Sequence, residues 1–404
     1  MALPFFFYHY LPNASGRALS HPDCVSILYT QATERGYLAS LINAVGLGGL
    51  AYVRNAPSLI HVAGHIYAGA LHGIRVALAE PAEAVSDQML VAVMLLALYE
   101  VSLFWDKRKV ELKITVIRRH VDGALALTEL RGTGQLRNRV GRSIFLSLRT
   151  EVLVNCLDRW LRVPAALTNW MNEAHIFEHP QEAPAARLAD IVVNACTILA
   201  SLKERVTEKS NVSAYICEIL SVDKALESWA NSLPDDYKYS RSPPLKVSAP
   251  TLFGESDSYP GIDIVHTWNL HRCTRIILHQ ALFEILSPHT GSLPPQPAIS
   301  YSSHEQQLQA SDKMIQESSR GIYSSVSYIL HFCDQPGRSE DMRGACILPL
   351  LWPLYVAGTT RTATDTARQR VIFQMQKIAE VTGIQKAKSM ALGIQKSYLS
   401  PPVI

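Results

Sequence analysis

From residue 23 to residue 398 apolar side chains recur three and four positions apart, and no segment alternates convincingly at period two. A chain patterned this way buries stripes rather than sheet faces, so it must pack helix on helix. The periodic segments lie near 23–34, 37–52, 57–79, 86–105, 114–131, 143–160, 186–206, 211–230, 261–286, 304–332, 341–357 and 363–398. Ser86 stands where an N-cap belongs, and Gly132 follows Arg131 where a C-cap glycine belongs. Residues 231–260 (NSLPDDYKYSRSPPLKVSAPTLFGESDSYP) and 287–302 (SPHTGSLPPQPAISYS) break the pattern and read as long surface loops. Apolar helices flank both loops. The expectation is a single large all-α domain over 23–398, of about ten to twelve helices with no significant sheet. An N-terminal segment, 1–22, precedes it, and a tail, 399–404, follows.

Composition narrows the class. With 48% hydrophobic and 18% charged residues the chain is globular rather than disordered, and 404 residues suffice for a sizeable core. Its seven cysteines are scattered without a C-x-x-C pair, the usage of buried reduced thiols in an intracellular protein. That spacing argues against a disulfide framework or a cysteine zinc site. The start, MALPFFFYHYLP, lacks a basic region and carries prolines, so a signal peptide is not expected. The apolar run from Met89 to Tyr99 falls far short of the ~20 residues that cross a bilayer, so no membrane span is expected. The net charge of +3 hides an uneven distribution, because residues 107–149 hold eleven Lys/Arg against three acids. This window reads either as a surface for an acidic partner or nucleic acid, or as a solvated helix edge.

Motifs with chemical content are few. VGLGG at 45–49 lacks a preceding strand and the third glycine of a nucleotide loop, and close helix packing explains it better. His61, His65 and His72 share one helical face, but Val62 stands where a zinc protease has its glutamate. They read as polar lining of a groove or pocket rather than as metal ligands. His266, His271 and His279 flank an apolar helix where a general base is conceivable. The pocket candidates are therefore His61, His65, His72 and His266. No G-x-S-x-G elbow, Walker loop or EF-hand pattern occurs. No catalytic motif is identified, the reading leans away from an enzyme, and no cofactor or metal is expected.

The stretch HVDGALALTELRG (120–132) concentrates four charged or titratable residues on a helical pattern. Ala124, Leu127 and Leu130 step along one side, joined by Val121 and Leu125, as a broad apolar face. Asp122 is placed in the first turn and Arg131 in the last, each complementing the helix dipole, and Glu129 faces solvent. The polar residues are accounted for without catalysis.

This stretch, with four others, carries a family resemblance. Through His120, Gly123, Leu130, Arg131 and Gly132 it resembles the H-x-x-G-A-x-x-L-x-x-L-R-G signature of fungus-specific transcription factors, in the domain that normally follows a Zn2Cys6 cluster. CLDRWLRVPAAL (156–167) is similar to the segment that follows there, and LESWANSLPDDYKY (226–239), with Trp229, to the tryptophan-then-Leu-Pro stretch. HTWNLHRCTRIILHQALFEIL (266–286) resembles a W-N-x-x-R helix through Trp268, Asn269 and Arg272. PLLWPLYVAGTTRT (349–362), with Trp352, and the terminal helix with Gly383 resemble the family's C-terminal end. The similarities run in family order from about residue 25 to residue 398. They imply an all-α regulatory domain around an apolar interior, typical of nuclear regulators, which in some relatives senses a small molecule.

One departure limits what carries over. A Zn2Cys6 cluster needs six cysteines within roughly thirty to forty residues, whereas only Cys24 lies in the first 155 residues here. Direct sequence-specific DNA binding is therefore not expected. The resemblance implies instead a nuclear regulator that acts through a protein partner carrying the DNA-binding function, or by sensing a small apolar molecule, with a secondary-metabolite gene cluster as its target. The run Lys107-Arg108-Lys109 fits nuclear entry, with the cytoplasm as the alternative location. The alternative function is a repurposed helical domain that acts as an enzyme or ligand-shaping protein in fungal natural-product biosynthesis. A third reading is a truncated relative that pairs with a complete regulator and blocks it.

Overall fold

A computed structural model describes residues 1–10, 21–33, 36–103, 110–204, 212–242, 256–286, 298–333 and 344–399. Among them lie seventeen α-helices and one two-stranded ribbon. The first seven helices are α1 (Ala2–Tyr10), α2 (His21–Gln31), α3 (Tyr37–Val53), α4 (Pro57–Leu78), α5 (Pro81–Ala84), α6 (Asp87–Leu103) and α7 (Val110–Arg131). A middle group follows: α8 (Gly134–Arg137), α9 (Arg139–Arg159), α10 (Ala165–Ala174), α11 (Ala183–Glu204) and α12 (Val212–Asn231). Strands β1 (Ser240–Ser242) and β2 (Ser256–Ser258) pair antiparallel, Ser240 opposite Ser258. The chain closes with α13 (Ile262–Leu286), α14 (Ala298–Cys333), α15 (Gly344–Thr359), α16 (Asp365–Thr382) and α17 (Gln385–Leu399).

The protein is all-α, with more helices than the apolar period indicates. The additional ones are short, α1, α5, α8 and α10, too brief for a stripe to repeat. In addition, the segment 363–398 is two helices. Gly383 breaks it with φ +75°, a left-handed value that favours glycine, and a Cβ there would meet the Gly49 carbonyl oxygen at 2.4 Å.

Of the N-terminal segment 1–22, residues 1–10 are packed on the helical body, and residues 11–20 lie outside the described residues. Phe6 and Tyr10 of α1 are buried against α3. The contact is made through VGLGG, where a Cβ on Gly46 would lie 2.3 Å from the Ala2 carbonyl oxygen. The glycines are thus there for close packing of two helices. The expected loop 287–302 is helical from Ala298 onward, and the expected loop 231–260 contains a 3-10 turn at Asp235–Tyr237 and both strands. Residues 243–255 and 287–297 of these loops lie outside the described residues.

One contiguous apolar cluster runs from Phe6 to Ile394. Helix α13 crosses it, touching α9, α11, α12, α14 and α15, and eighteen of its twenty-five residues are buried. A helix buried over most of its surface leaves little solvent edge for polar residues, so the buried Asn269, His271, Arg272 and His279 need partners inside the protein. Helix α11 is long and apolar enough to cross a bilayer. In the fold, Leu188, Val192, Ala195, Cys196 and Leu199 are fully buried and the helix packs on α9, α12 and α13, the position of a core helix.

Candidate functional site

Helix α7 places the HVDGALALTELRG residues differently from the helix-end scheme. It begins at Val110, so Asp122 is exposed in mid-helix rather than in the first turn. Ala124, Leu125, Leu127 and Thr128 form the buried face, and Leu130 is 68% exposed, off that face. His120 reaches α6, its Nε2 lying 2.9 Å from Glu100 Oε2, while Tyr67 of α4 donates its hydroxyl to the other carboxylate oxygen. Burial pushes the Glu100 carboxyl up, but the His120 and Tyr67 hydrogen bonds outweigh it and hold the group below its ordinary value. His120 therefore ties three helices together and is not a surface residue. Arg131 bonds the Ser86 carbonyl at 3.1 Å and the Asp87 carboxylate, fastening the last turn of α7 to the first turn of α6. Gly132 has φ +68° and ends the helix. Gly123 faces open space.

The remaining motif residues also act as ties. Trp229 donates its indole N–H to the Pro184 carbonyl at 2.7 Å, and Trp268 donates to the Tyr237 carbonyl at 3.0 Å. Trp352 donates to Asp158 Oδ1 at 2.8 Å, joining α15 to the end of α9. Asn269 donates to Ser325 Oγ at 3.0 Å and accepts from Arg272 Nη1 at 3.0 Å. Arg272 also donates to the Tyr259 hydroxyl at 2.8 Å, and its Nη2 lies 3.7 Å from buried Asp257. Its guanidinium sits among the rings of Tyr239, Trp268 and Tyr259 at 5.0, 5.6 and 5.8 Å. Gly321 of α14 lets it lie there, because a Cβ at that position would stand 2.5 Å from Arg272 Nε.

A Ser/His/Asp set occurs beside this network. His279 Nδ1 lies 2.9 Å from Ser311 Oγ, and its Nε2 lies 3.4 Å from Asp223 Oδ1. Ser311 has no solvent exposure, and Asp223 is held by Arg275 through two bonds of 2.6 and 2.7 Å. Burial raises the Asp223 carboxyl, but Arg275 and His279 together hold it far below the ordinary range. With the serine sealed and the carboxylate already spoken for, the set cross-links α12, α13 and α14 and presents no nucleophile. His271 is buried, contacts the Leu226 carbonyl oxygen at 3.1 Å, and burial lowers its pKa to about 3, so it stays neutral.

The pocket candidates are not brought together. His61, His65 and His72 lie on the exposed side of α4, whose inward residues are Ala63, Tyr67, Ala70 and Ile74, so none lines an interior. The i, i+4 spacing is real, but the stripe that packs is the alanine and tyrosine one. His266 is half-buried on α13. Among the described residues no group of three His, Cys, Asp or Glu side chains is arranged to hold a metal.

One cavity lies between α9, α10 and the start of α11. It is lined by Arg142, Arg149, Met171, His175, Glu178 and Glu182, among others. Its empty space is about 300 Å³ counting the open mouth, and about 10 Å³ of it can centre a water-sized sphere. Arg142 pairs with Glu182 at 3.3 Å, and His175 contacts Glu178 at 2.8 Å and Asp190 at 3.3 Å. The Glu178 hydrogen bond raises the His175 pKa more than burial lowers it. Arg149 is 7% exposed, and among the described residues it makes no hydrogen bond and has no carboxylate within 4 Å. The sequence does carry a signal for it. Phe145, Arg149, Val152 and Cys156 fall on one buried stripe of α9, where a cation has no solvent to turn to.

The basic window 107–149 is not one charged face. Arg131, Arg142 and Arg149 turn inward or into ion pairs, Arg137 and Arg139 are exposed, and Lys107, Arg108 and Lys109 lie outside the described residues. No family model, curated protein or solved structure matches the chain.

Proposed function

We propose that this chain is the helical regulatory body of a fungus-specific transcription-factor type, acting through a partner that supplies DNA binding or by sensing a small molecule. The observation that carries the reading is the use made of the motif residues. Trp229, Trp268, Asn269, Arg272 and Trp352, spread along the sequence, are buried as cross-links of α12 to α11, of α13 to α14, the 3-10 turn and the ribbon, and of α15 to α9. Residues that hold a scaffold in one arrangement are what a family signature spread over a whole domain preserves. The Ser311–His279–Asp223 set, sealed as it is, lends nothing to the biosynthetic alternative.

The reading places the protein in the nucleus and its effect on transcript levels. Deletion in the source organism, followed by transcript and metabolite profiling, tests it. The expected result is loss of a coordinated gene set together with its product. Unchanged transcripts with an accumulated, unmodified metabolite would overturn it in favour of catalysis.

A further inference from the structure

We propose that His61 and His65 of α4 form a two-imidazole chelate for one divalent transition-metal ion of the Ni2+, Cu2+ or Zn2+ class, with water filling the ion's other positions. The inference stands on one exposed helix face and does not depend on the regulatory reading.

Four observations carry it. First, the spacing is that of a chelate. Four residues apart in one helix, the two histidines share a face with Cβ atoms about 5–6 Å apart, the separation from which a helical histidine pair holds one zinc ion. His72 stands seven residues beyond His65, about 10.5 Å along the axis, and cannot share the ion. Second, both rings are available. His61 and His65 are exposed, and among the described residues neither makes a hydrogen bond or ion pair, whereas His120, His175, His271 and His279 are held by partners. Third, the helix beneath them is fixed before any ion arrives. Ala63, Tyr67 and Ala70 are buried, α4 packs along α3, and Tyr67 is bonded to Glu100. A Cβ on Gly64 or Gly69 would meet nothing within 4 Å, so the ion's water has room. Fourth, the ligand set selects the metal. Residues 55–74 contain no Lys, Arg, Asp or Glu, so the helix offers nitrogen without carboxylate and without a cation to repel the ion. Imidazole alone suits nickel, copper and zinc rather than magnesium or calcium.

The probe is Ni2+ alone, titrated by calorimetry into the full chain without an affinity tag. The expected result is a saturable site for one ion per chain. His61→Gln and His65→Gln should each weaken it about a hundredfold, because a single imidazole loses the effective concentration that the pair supplies. His72→Gln, on the same exposed face, should leave it unchanged. Adding Gly69→His to the His61→Gln chain sets a second imidazole four residues from His65, and binding should return. All of these positions are exposed, so the fold does not depend on them. Absence of a saturable site in the wild-type chain up to about 1 mM Ni2+ would overturn the proposal. So would binding kept in both His61→Gln and His65→Gln, a loss on His72→Gln as large as theirs, or no recovery in the double variant.

Discussion

Two arginines lie almost equally deep in this molecule, Arg272 at 4% exposure and Arg149 at 7%, and the fold treats them in opposite ways. Arg272 has a tyrosine hydroxyl, an asparagine, an aspartate and three aromatic rings around it, and a glycine opposite to make room. Arg149 makes no hydrogen bond among the described residues, and the carboxylates of Asp190, Glu178 and Glu182 act on it from beyond 4 Å. Both sit on helices of the core, α13 and α9, so depth does not distinguish them. What differs is whether the compensating groups touch the charge or act on it from a distance. A charge held by hydrogen bonds ties elements together, and one compensated from a distance ties none.

The largest break in this contrast is expected at Arg272. Arg272→Met leaves Asp257 buried without its main counter-charge, and unfolding in urea should show a loss of about 3–5 kcal/mol. Next comes the pH response of Asp223. Its folded-state pKa is depressed, so its contribution is present above the unfolded value of about 4 and is lost as pH falls through the folded one. Wild type should lose about 2 kcal/mol through this group on acidification, and the stability profile of Asp223→Asn should be flatter below pH ~4. Gly321→Ala should cost about 1–2 kcal/mol by forcing Arg272 aside, against the roughly 1 kcal/mol that alanine normally gains in a helix. A stabilised Gly321→Ala variant would show that the close approach does not matter. The smallest effect is expected at Arg149, where the desolvation relieved by Arg149→Met and the attraction lost from Asp190, Glu178 and Glu182 oppose each other, and stability should change by no more than about 1 kcal/mol.

The helical architecture was legible because a stripe of period 3.6 repeats over every long element. Helices of four to ten residues such as α5 and α10 were not, since they complete too few turns for a stripe to show. The same reasoning misplaced Leu130. Ala124, Leu125, Leu127 and Thr128 set the buried arc, and its next position is Arg131, which reaches Ser86 with its head, so Leu130 points away. Histidine spacing misled at His61, His65 and His72 because periodicity fixes a shared face without fixing which face turns inward. The Arg272 network was visible only as W-N-x-x-R, since Asp257, Tyr259 and Ser325 join it through tertiary packing. Arg149 could have been flagged from its place in the apolar stripe of α9, but its lack of a hydrogen bond is a fact of three dimensions.

The most direct measurement is a side-by-side urea unfolding of Arg272→Met and Arg149→Met. The two-way treatment of buried arginine predicts a gap of at least about 2 kcal/mol between them, with Arg149→Met within about 1 kcal/mol of wild type. Equal losses in the two variants would contradict it, because Arg149 would then be as much a part of the fold's own cross-linking as Arg272.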